Sequence, residues 1–337
     1  MSIRQELESL EHSQLVRQAA FADETKGRLY PEEPKPDEVR TAYQRDTDKI
    51  VHSKSFRRLM HKTQVFLQSE GDHYRTRMTH TIEVSRIART IAKALNLNED
   101  LAEAISMGHD LGHTPFGHAG ETALSEAMGQ PFHHNEQSLR VVDILENEGA
   151  GLNLTYEVRM GILGHTGPYV PETMEGKIVR WADRIAYVNH DIDDAIRAGI
   201  LAREDLPKFV QKTLGDTHSG RINTLVCDMI ISSREAGEIT LSDSVEQALN
   251  QLREFMFERV YRNPVAKGEE AKAKDMLKRM YEYYYIHPEA IPVDFQPQMS
   301  MEGMERTVCD YIAGMTDNYA VDKYTELFIP MGWNVRG

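Results

Sequence analysis

Cysteine is nearly absent. Cys227 and Cys309 are the two in 337 residues, far apart and outside any CxxC spacing. That excludes a disulfide framework and a cysteine-ligated metal, and it is the usage expected in a reducing compartment. Long apolar runs are missing as well: nothing approaches the ~20 apolar residues a membrane helix needs. Met1 to Tyr30 is polar and charged, without an apolar signal region, so a cytoplasmic protein with no membrane partner is expected. Positive charge is in deficit, with a net charge of −14, which argues against broad electrostatic binding of nucleic acid. No stretch alternates at period two, and there is no P-loop, dinucleotide-type glycine motif, internal repeat or low-complexity tract. What remains is a globular, essentially all-α chain, long enough to bury a substantial core as one large domain or two.

What is present in excess is histidine in one place. His109-Asp110-Leu111-Gly112-His113-Thr114-Pro115-Phe116-Gly117-His118-Ala119-Gly120-Glu121 is followed by His133 and His134, five of the chain's 14 histidines within 26 residues. Imidazole binds borderline metals and carboxylate binds harder ones, so the mixture fits a hydrolytic metal site better than a polar surface loop. Gly112, Pro115 and Gly117 interrupt any long helix there, and the resulting turn lets several side chains converge on one cleft. A second local departure is a basic island. Arg40, Arg45, Lys49, Lys54, Arg57, Arg58 and Lys62 stand against only Asp46 and Asp48. It suits a polyanion such as a triphosphate, or else an ion-paired, solvated helix face.

Taken in order, residues 1–20 read as a short helix and 22–38 as an arm containing Pro31, Pro34 and Pro36. Residues 40–68 look mostly helical, with a break near Gly71. Thr79 is the expected cap of a helix over 80–95, whose Val84, Ile87, Ala88, Ile91 and Leu95 form one stripe. His80 starts that stripe, and His109 continues the apolar face of the next helix after Leu101, Ala102 and Ile105. Two helices thus each deliver a histidine from the buried side. Helical patterns follow at 137–146, 155–165 and 177–197. In the last, Asp183, Tyr187 and Asp191 recur at i+4 and share a face, and a carboxylate at 183 would be costly to bury unpaired. Beyond Gly215 helices are expected at 220–235, 242–262, 268–285 and 303–321. The tyrosines at 281 and 283–285 read as packing residues.

His80, His109-Asp110 and Asp183 in this order resemble the HD superfamily of metal-dependent phosphohydrolases. The finer motifs are Arg77-Met78-Thr79-His80, His109-Asp110-Leu111-Gly112-His113-x-Pro115-Phe116-Gly117-His118, His134-Asn135-Glu136-Gln137-Ser138 and Asp183-x-x-x-Tyr187-x-x-x-Asp191. With Arg45-Asp46-x-Asp48-Lys49-Ile50 and Phe56-Arg57-Arg58-Leu59-x-x-Lys62-Thr63-Gln64-Val65, they are similar to the deoxynucleoside triphosphate triphosphohydrolases, whose best-known bacterial members cleave dGTP. Thr114 departs from the family, where a second proline is common. The resemblance is clear over about residues 40–200 and only helical in character beyond.

The resemblance implies an HD-domain helical bundle at 40–215, after an N-terminal helix and proline arm at 1–39, with a C-terminal helical region at 216–337 packed on the core. It implies one divalent metal (Mn, Mg, Fe, Co or Ni) on His80, His109, Asp110 and Asp183, and a catalytic dyad of His118 and Glu121. Arg77, His113, His134, Arg184 and Tyr187 would surround the phosphates, and Gln64 and Asp191 would meet the 3′-hydroxyl. A homo-oligomer, hexamer or tetramer, is also implied. Hydrolysis at the α-phosphorus expels the sugar 5′-oxygen, a poor leaving group that profits from a positioned acid. Histidine with a carboxylate that raises its pKa can serve. Competing readings are an HD enzyme on another nucleotide (a deoxynucleotide 5′-nucleotidase or (p)ppGpp hydrolase) and a non-catalytic dNTP sensor.

Overall fold

A computed structural model describes residues 2–32, 39–64, 75–262 and 264–330. Among these residues there are helices and two isolated β-bridges, Arg28 with Thr155 and Thr63 with Thr76, but no strand. The helices are α1 (Ile3–Gln14), α2 (Ala42–Val51), α3 (Lys54–Arg58), α4 (Arg77–Ala94), α5 (Glu99–Gly108), α6 (His118–Met128), α7 (His134–Arg140), α8 (Tyr156–Gly164), α9 (Met174–Arg197), α10 (Lys208–Leu214), α11 (His218–Ala236), α12 (Asp243–Met256), α13 (Pro264–Ile286), α14 (Gln296–Glu302), α15 (Met304–Ala313) and α16 (Asp317–Phe328). The all-α expectation holds.

Local chemistry explains several boundaries. Thr76, not Thr79, caps α4; its hydroxyl accepts from Thr79 N while Thr79 Oγ1 accepts from Thr76 N, so the helix starts three residues earlier than expected. Asn98 caps α5 by accepting from the amides of Asp100 and Leu101. The helix expected over 137–146 is α-helical only to Arg140 and continues as a π-turn over Val141–Leu145. The helix expected over 303–321 is two, broken after Ala313 by Gly314 and restarted by the Thr316 cap. α10 was not expected at all. Pro34, Pro36, Val65 and the break near Gly71 lie outside the described residues.

Two apolar clusters result. The larger gathers α2, α4, α5, α8, α9, α11 and α12 around Val84, Ile91, Leu101, Ile105, Ile162, Ile178 and Ile185, all fully buried. Each such side chain contributes roughly 1.5–3 kcal/mol of transfer free energy. α5 and α8 cross closely: a Cβ on Gly161 would lie 2.3 Å from Ile105 Cδ1. The ends of these two helices, and the residues just past them, therefore share one end of the bundle. The smaller cluster joins α6 to α13, α15 and α16 through Leu124, Leu277, Met280, Val308 and Ile312. A buried polar joint ties α7 to α15. There Asp310 accepts from Gln137 Nε2 at 2.9 Å and from Arg140 Nε at 2.9 and 3.0 Å. The polar site lies where these units meet.

The basic island is largely spoken for. Arg40 pairs with Asp48, and Arg45 and Lys49 both pair with Glu32. Lys62 is buried, donating to the carbonyls of His113 and Ala313. The ion-paired alternative describes Arg40, Arg45 and Lys49.

Candidate active site

α4 supplies Arg77 and His80 from its first turn, the end of α5 supplies His109 and Asp110, α6 supplies His118 and Glu121, α7 supplies His134, and α9 supplies Asp183. Between α5 and α6 the chain makes a tight loop. A Cβ on Gly112 would lie 2.1 Å from the Ser138 amide nitrogen, so only glycine lets the loop press on α7. There Ser138 Oγ accepts from Gly112 N and donates to the His109 carbonyl. Phe116 and Gly117 both have positive φ, 61° and 54°. A non-glycine in that region is unusual and strained. Gly117 also packs against Arg77, whose Nη2 is 2.9 Å from where a Cβ would stand.

His80, His109 and Asp110 bring ligand atoms within 4.8 Å of one another, and so do Asp110, His113 and His134, with Asp110 shared. Asp183 joins the first group: its Oδ1 lies 3.0 Å from His80 Nε2 and 3.8 Å from His109 Nε2. His109 Nδ1 donates to the Ser106 carbonyl at 2.6 Å, which leaves Nε2 as a bare lone pair. That atom is buried with no hydrogen-bond partner. A buried orphan nitrogen facing two carboxylates is the arrangement a divalent cation satisfies, with the other ring nitrogen anchored to backbone as in metal-ligating histidines. The four residues therefore fit a metal. The fields agree: burial would raise the Asp110 carboxyl, but His109, His113 and Arg77 hold it well below the usual range. Asp183 is held at about 2, burial again being outweighed by the His80 hydrogen bond and His109.

Beside this set lies a second polar compartment. His113 and His134 stack with ring centroids 3.9 Å apart. Arg77 Nη1 donates to Asp110 Oδ2 at 3.2 Å. Glu121 Oε1 accepts from His134 Nδ1 at 2.8 Å and lies 3.4 Å from His113 Nδ1. Burial opposes the His134 charge, but the Glu121 hydrogen bond outweighs it and raises the pKa. His113 is pushed well below the ordinary imidazole value by burial and by the charges of Arg77 and His134.

His118 sits at the rim, exposed, with its ring centroid 6.2 Å from that of His113. Protein crowding on its inner side lowers its pKa, and Glu121, acting through space, offsets that only in part. Glu121 does raise the His118 pKa by its charge, as expected, but burial outweighs it, and the hydrogen bond of Glu121 goes to His134 instead.

The structure places the remaining expected residues unevenly. Gln64 is close to the loop, its carbonyl 3.7 Å from the Gly117 Cβ position, and its Oε1 is buried without a partner. Asp191 is buried, accepts from the Tyr261 hydroxyl, and is pushed up to about 7 by burial. Tyr187 lies on the same helix face as Asp183 and Asp191 and carries a raised pKa, chiefly through burial. Arg184 is the outlier. Its guanidinium lies over the Trp181 ring at 5.0 Å, in a surface groove with Lys177 and Arg180, and not against the histidines.

Sequence reasoning missed His165, Tyr261 and the buried His190. His165 Nδ1 donates to the Ile162 carbonyl, and its Nε2 is 3.2 Å from His134 Nε2. The signal was there, a histidine between Gly164 and Gly167, but nothing local says that α8 ends beside α5. Tyr261 lies 70 residues from Asp191, in a π-turn that sequence spacing does not announce.

Comparison with known proteins agrees with this geometry. The HD domain matches residues 77–188, and the phosphohydrolase-associated domain matches residues 239–326. Relatives named deoxyguanosinetriphosphate triphosphohydrolase-like protein include one from Caldanaerobacter subterraneus subsp. tengcongensis, 53% identical over 99% of this chain and 98% of the relative. Another, from Clostridium perfringens strain SM101, is 50% identical over 98% of each chain. A third, from Desulfatibacillum aliphaticivorans, is 47% identical over 98% of this chain and 99% of its own. Every helix that contributes to the site falls within these matches, and the chain belongs to the deoxyguanosinetriphosphate triphosphohydrolase-like family of HD-domain phosphohydrolases.

Proposed function

We propose that the protein hydrolyses deoxynucleoside triphosphates, dGTP among them, to a deoxynucleoside and inorganic triphosphate. The observation that carries this reading is the pair of compartments sharing Asp110: a metal-fitting set on one side, and Arg77 with a stacked histidine pair on the other. One divalent cation (Mn, Mg, Fe, Co or Ni) on His80, His109, Asp110 and Asp183 would polarise the α-phosphate and acidify the attacking water.

The protein's own residues do the rest. Arg77 and His134, whose protonated form Glu121 favours, meet the triphosphate, which a chain of net charge −14 would otherwise repel. His113, stacked on His134 with its Nε2 3.2 Å from Asp110 Oδ1, completes the polar wall that faces the phosphates. The water oxygen bonds to the α-phosphorus as the bond to the sugar 5′-oxygen breaks; the ring proton of His118 passes to that oxygen, and the proton lost by the water goes to solvent, from which His118 is reprotonated. Glu121 orients His134 directly and favours the protonated His118 by its charge. Asp191, Tyr187 and Gln64 border the sugar. Arg184 would reach phosphate only by leaving Trp181. The family relationship supports a cytoplasmic homo-oligomer, a hexamer or tetramer, which light scattering would count.

The test is product analysis on metal-loaded protein with each dNTP. Intact triphosphate supports the reading. Monophosphate from a nucleoside monophosphate, or diphosphate from (p)ppGpp, would favour another HD chemistry, and binding without products a sensor.

A further inference from the structure

The catalytic loop carries strain that its own segment does not hold. Phe116 and Gly117 have positive φ, and His118 follows at once as the first residue of α6. Within the loop one side chain braces the turn, Thr114 Oγ1 donating to the Gly117 carbonyl at 2.8 Å. The Phe116 amide is satisfied from far away in sequence: it donates to Asp317 Oδ1 at 3.1 Å. Asp317, in the first turn of α16, is 3% exposed. Its other oxygen, Oδ2, accepts from Thr63 N at 3.0 Å and Thr63 Oγ1 at 2.7 Å. One carboxylate therefore joins the segment holding Gln64 to the loop holding His118.

Lys62 doubles the joint. Its buried ammonium donates to the His113 carbonyl and, at 2.9 Å, to the carbonyl of Ala313 at the end of α15. The Lys62 carbonyl accepts from Arg77 N at 3.0 Å. The α15–α16 turn thus grips both sides of the catalytic loop from within the phosphohydrolase-associated region.

We infer that Asp317 is a positioning residue of the reaction: by accepting the Phe116 amide and both Thr63 donors, it sets the His118 ring and the Gln64 segment in their working relation. The inference rests on the proposed dNTP hydrolysis with His118 as acid. Three donors converge on Asp317, so only a carboxylate serves them all. An asparagine of equal size has one oxygen, and in either orientation its amide group faces a donor. The mismatch falls on Phe116 or on Thr63, and a displacement of order 1 Å at a reacting group is worth on the order of 10–100-fold in rate.

A double-mutant cycle tests this in the full-length, metal-loaded protein with dGTP. Asp317→Asn is expected to lower kcat by about 10–100-fold, with a smaller change in KM. In a His118→Ala background the same substitution is expected to lower kcat by a clearly smaller factor, because of the two groups it positions only the Gln64 segment remains. Val308→Ala, a buried truncation in α15, is expected to lower the melting temperature and leave kcat near wild type. Thr63→Val deletes one of the three bonds at constant volume and is expected to repeat the pattern at reduced size. Equal losses in both backgrounds, for either variant, would overturn the inference, as would a wild-type kcat for Asp317→Asn. A wild-type protein inactive on every dNTP would overturn the substrate reading and this inference with it.

Discussion

Glu121 Oε1 accepts a 2.8 Å hydrogen bond from His134 Nδ1, and that bond turns the opposite nitrogen of the ring toward His165, 3.2 Å away. A carboxylate from α6 thereby orients the ring on α7 and favours its positive charge, with the stacked His113 beside them and next to Asp110. Replacing Glu121 by Gln should release this charge. KM for the triphosphate is expected to rise, and kcat to fall less than in His118→Ala. Because Glu121 and His134 act as a unit, Glu121→Gln with His134→Ala should lose less than the sum of the two singles. Strict additivity in the steady-state constants would show that the bond is incidental.

Metal content separates binding from chemistry. Asp183→Ala removes a carboxylate that faces both His80 and His109. Elemental analysis is expected to show near-complete loss of the bound divalent ion, and added metal should no longer raise the melting temperature. Metal content equal to wild type would remove Asp183 from the set.

His118→Ala is expected to keep its metal and its affinity for dNTP while losing roughly 10²–10⁴-fold in turnover, the size of a positioned acid. Turnover, metal content and melting temperature are to be measured together. Near-normal turnover per metal-loaded subunit would move the acid to His113 or His134.

The pH profile follows from the lowered His118 pKa. A general acid works only while protonated, and a lowered pKa means that the proton is lost at lower pH. In the free protein kcat/KM should therefore begin to fall, as pH rises, below the ordinary imidazole value of about 6.5. Bound triphosphate brings negative charge that favours the imidazolium, so kcat should hold to higher pH. Superimposable profiles for kcat and kcat/KM would contradict this assignment.

Deoxyribose selectivity is expected from the sugar side. Asp191 is buried and held by Tyr261, with Tyr187 one turn before it; with these residues proposed to border the sugar, a pocket packed against C2′ would reject an added hydroxyl by clash. Tyr261→Phe should loosen Asp191 and narrow the gap between dGTP and GTP in kcat/KM. Equal efficiencies of the wild-type protein on both would refute the packed-sugar account.

How much of this was legible depends on where each residue's partners lie. The stripe Val84-Ile87-Ile91 and the face ending at His109 are local and periodic, so both helices and their histidines could be read directly, as could the glycines that bend 112–117. The cap at Thr76 was missed because Thr76 and Thr79 each accept the other's amide and so carry the same signal. The basic island was ambiguous because its answer, Glu32, lies in the arm and not in the stretch itself. The dyad of His118 with Glu121 came from the resemblance. Spacing cannot show that α7 brings His134 closer to the same oxygen. Asp317 is separated from Thr63 by 254 residues and from Phe116 by 201, and no periodic pattern carries information over that range.

The claim that the site cleaves at the α-phosphorus with a metal-fitting set and a histidine acid is tested most directly by hydrolysing dGTP in ¹⁸O-water and following the products by phosphorus NMR. Deoxyguanosine and intact inorganic triphosphate are expected in equal amounts, with one ¹⁸O on a terminal phosphorus of the triphosphate and none in the nucleoside. Release of orthophosphate or pyrophosphate, or label in the deoxyguanosine 5′-hydroxyl, would contradict it.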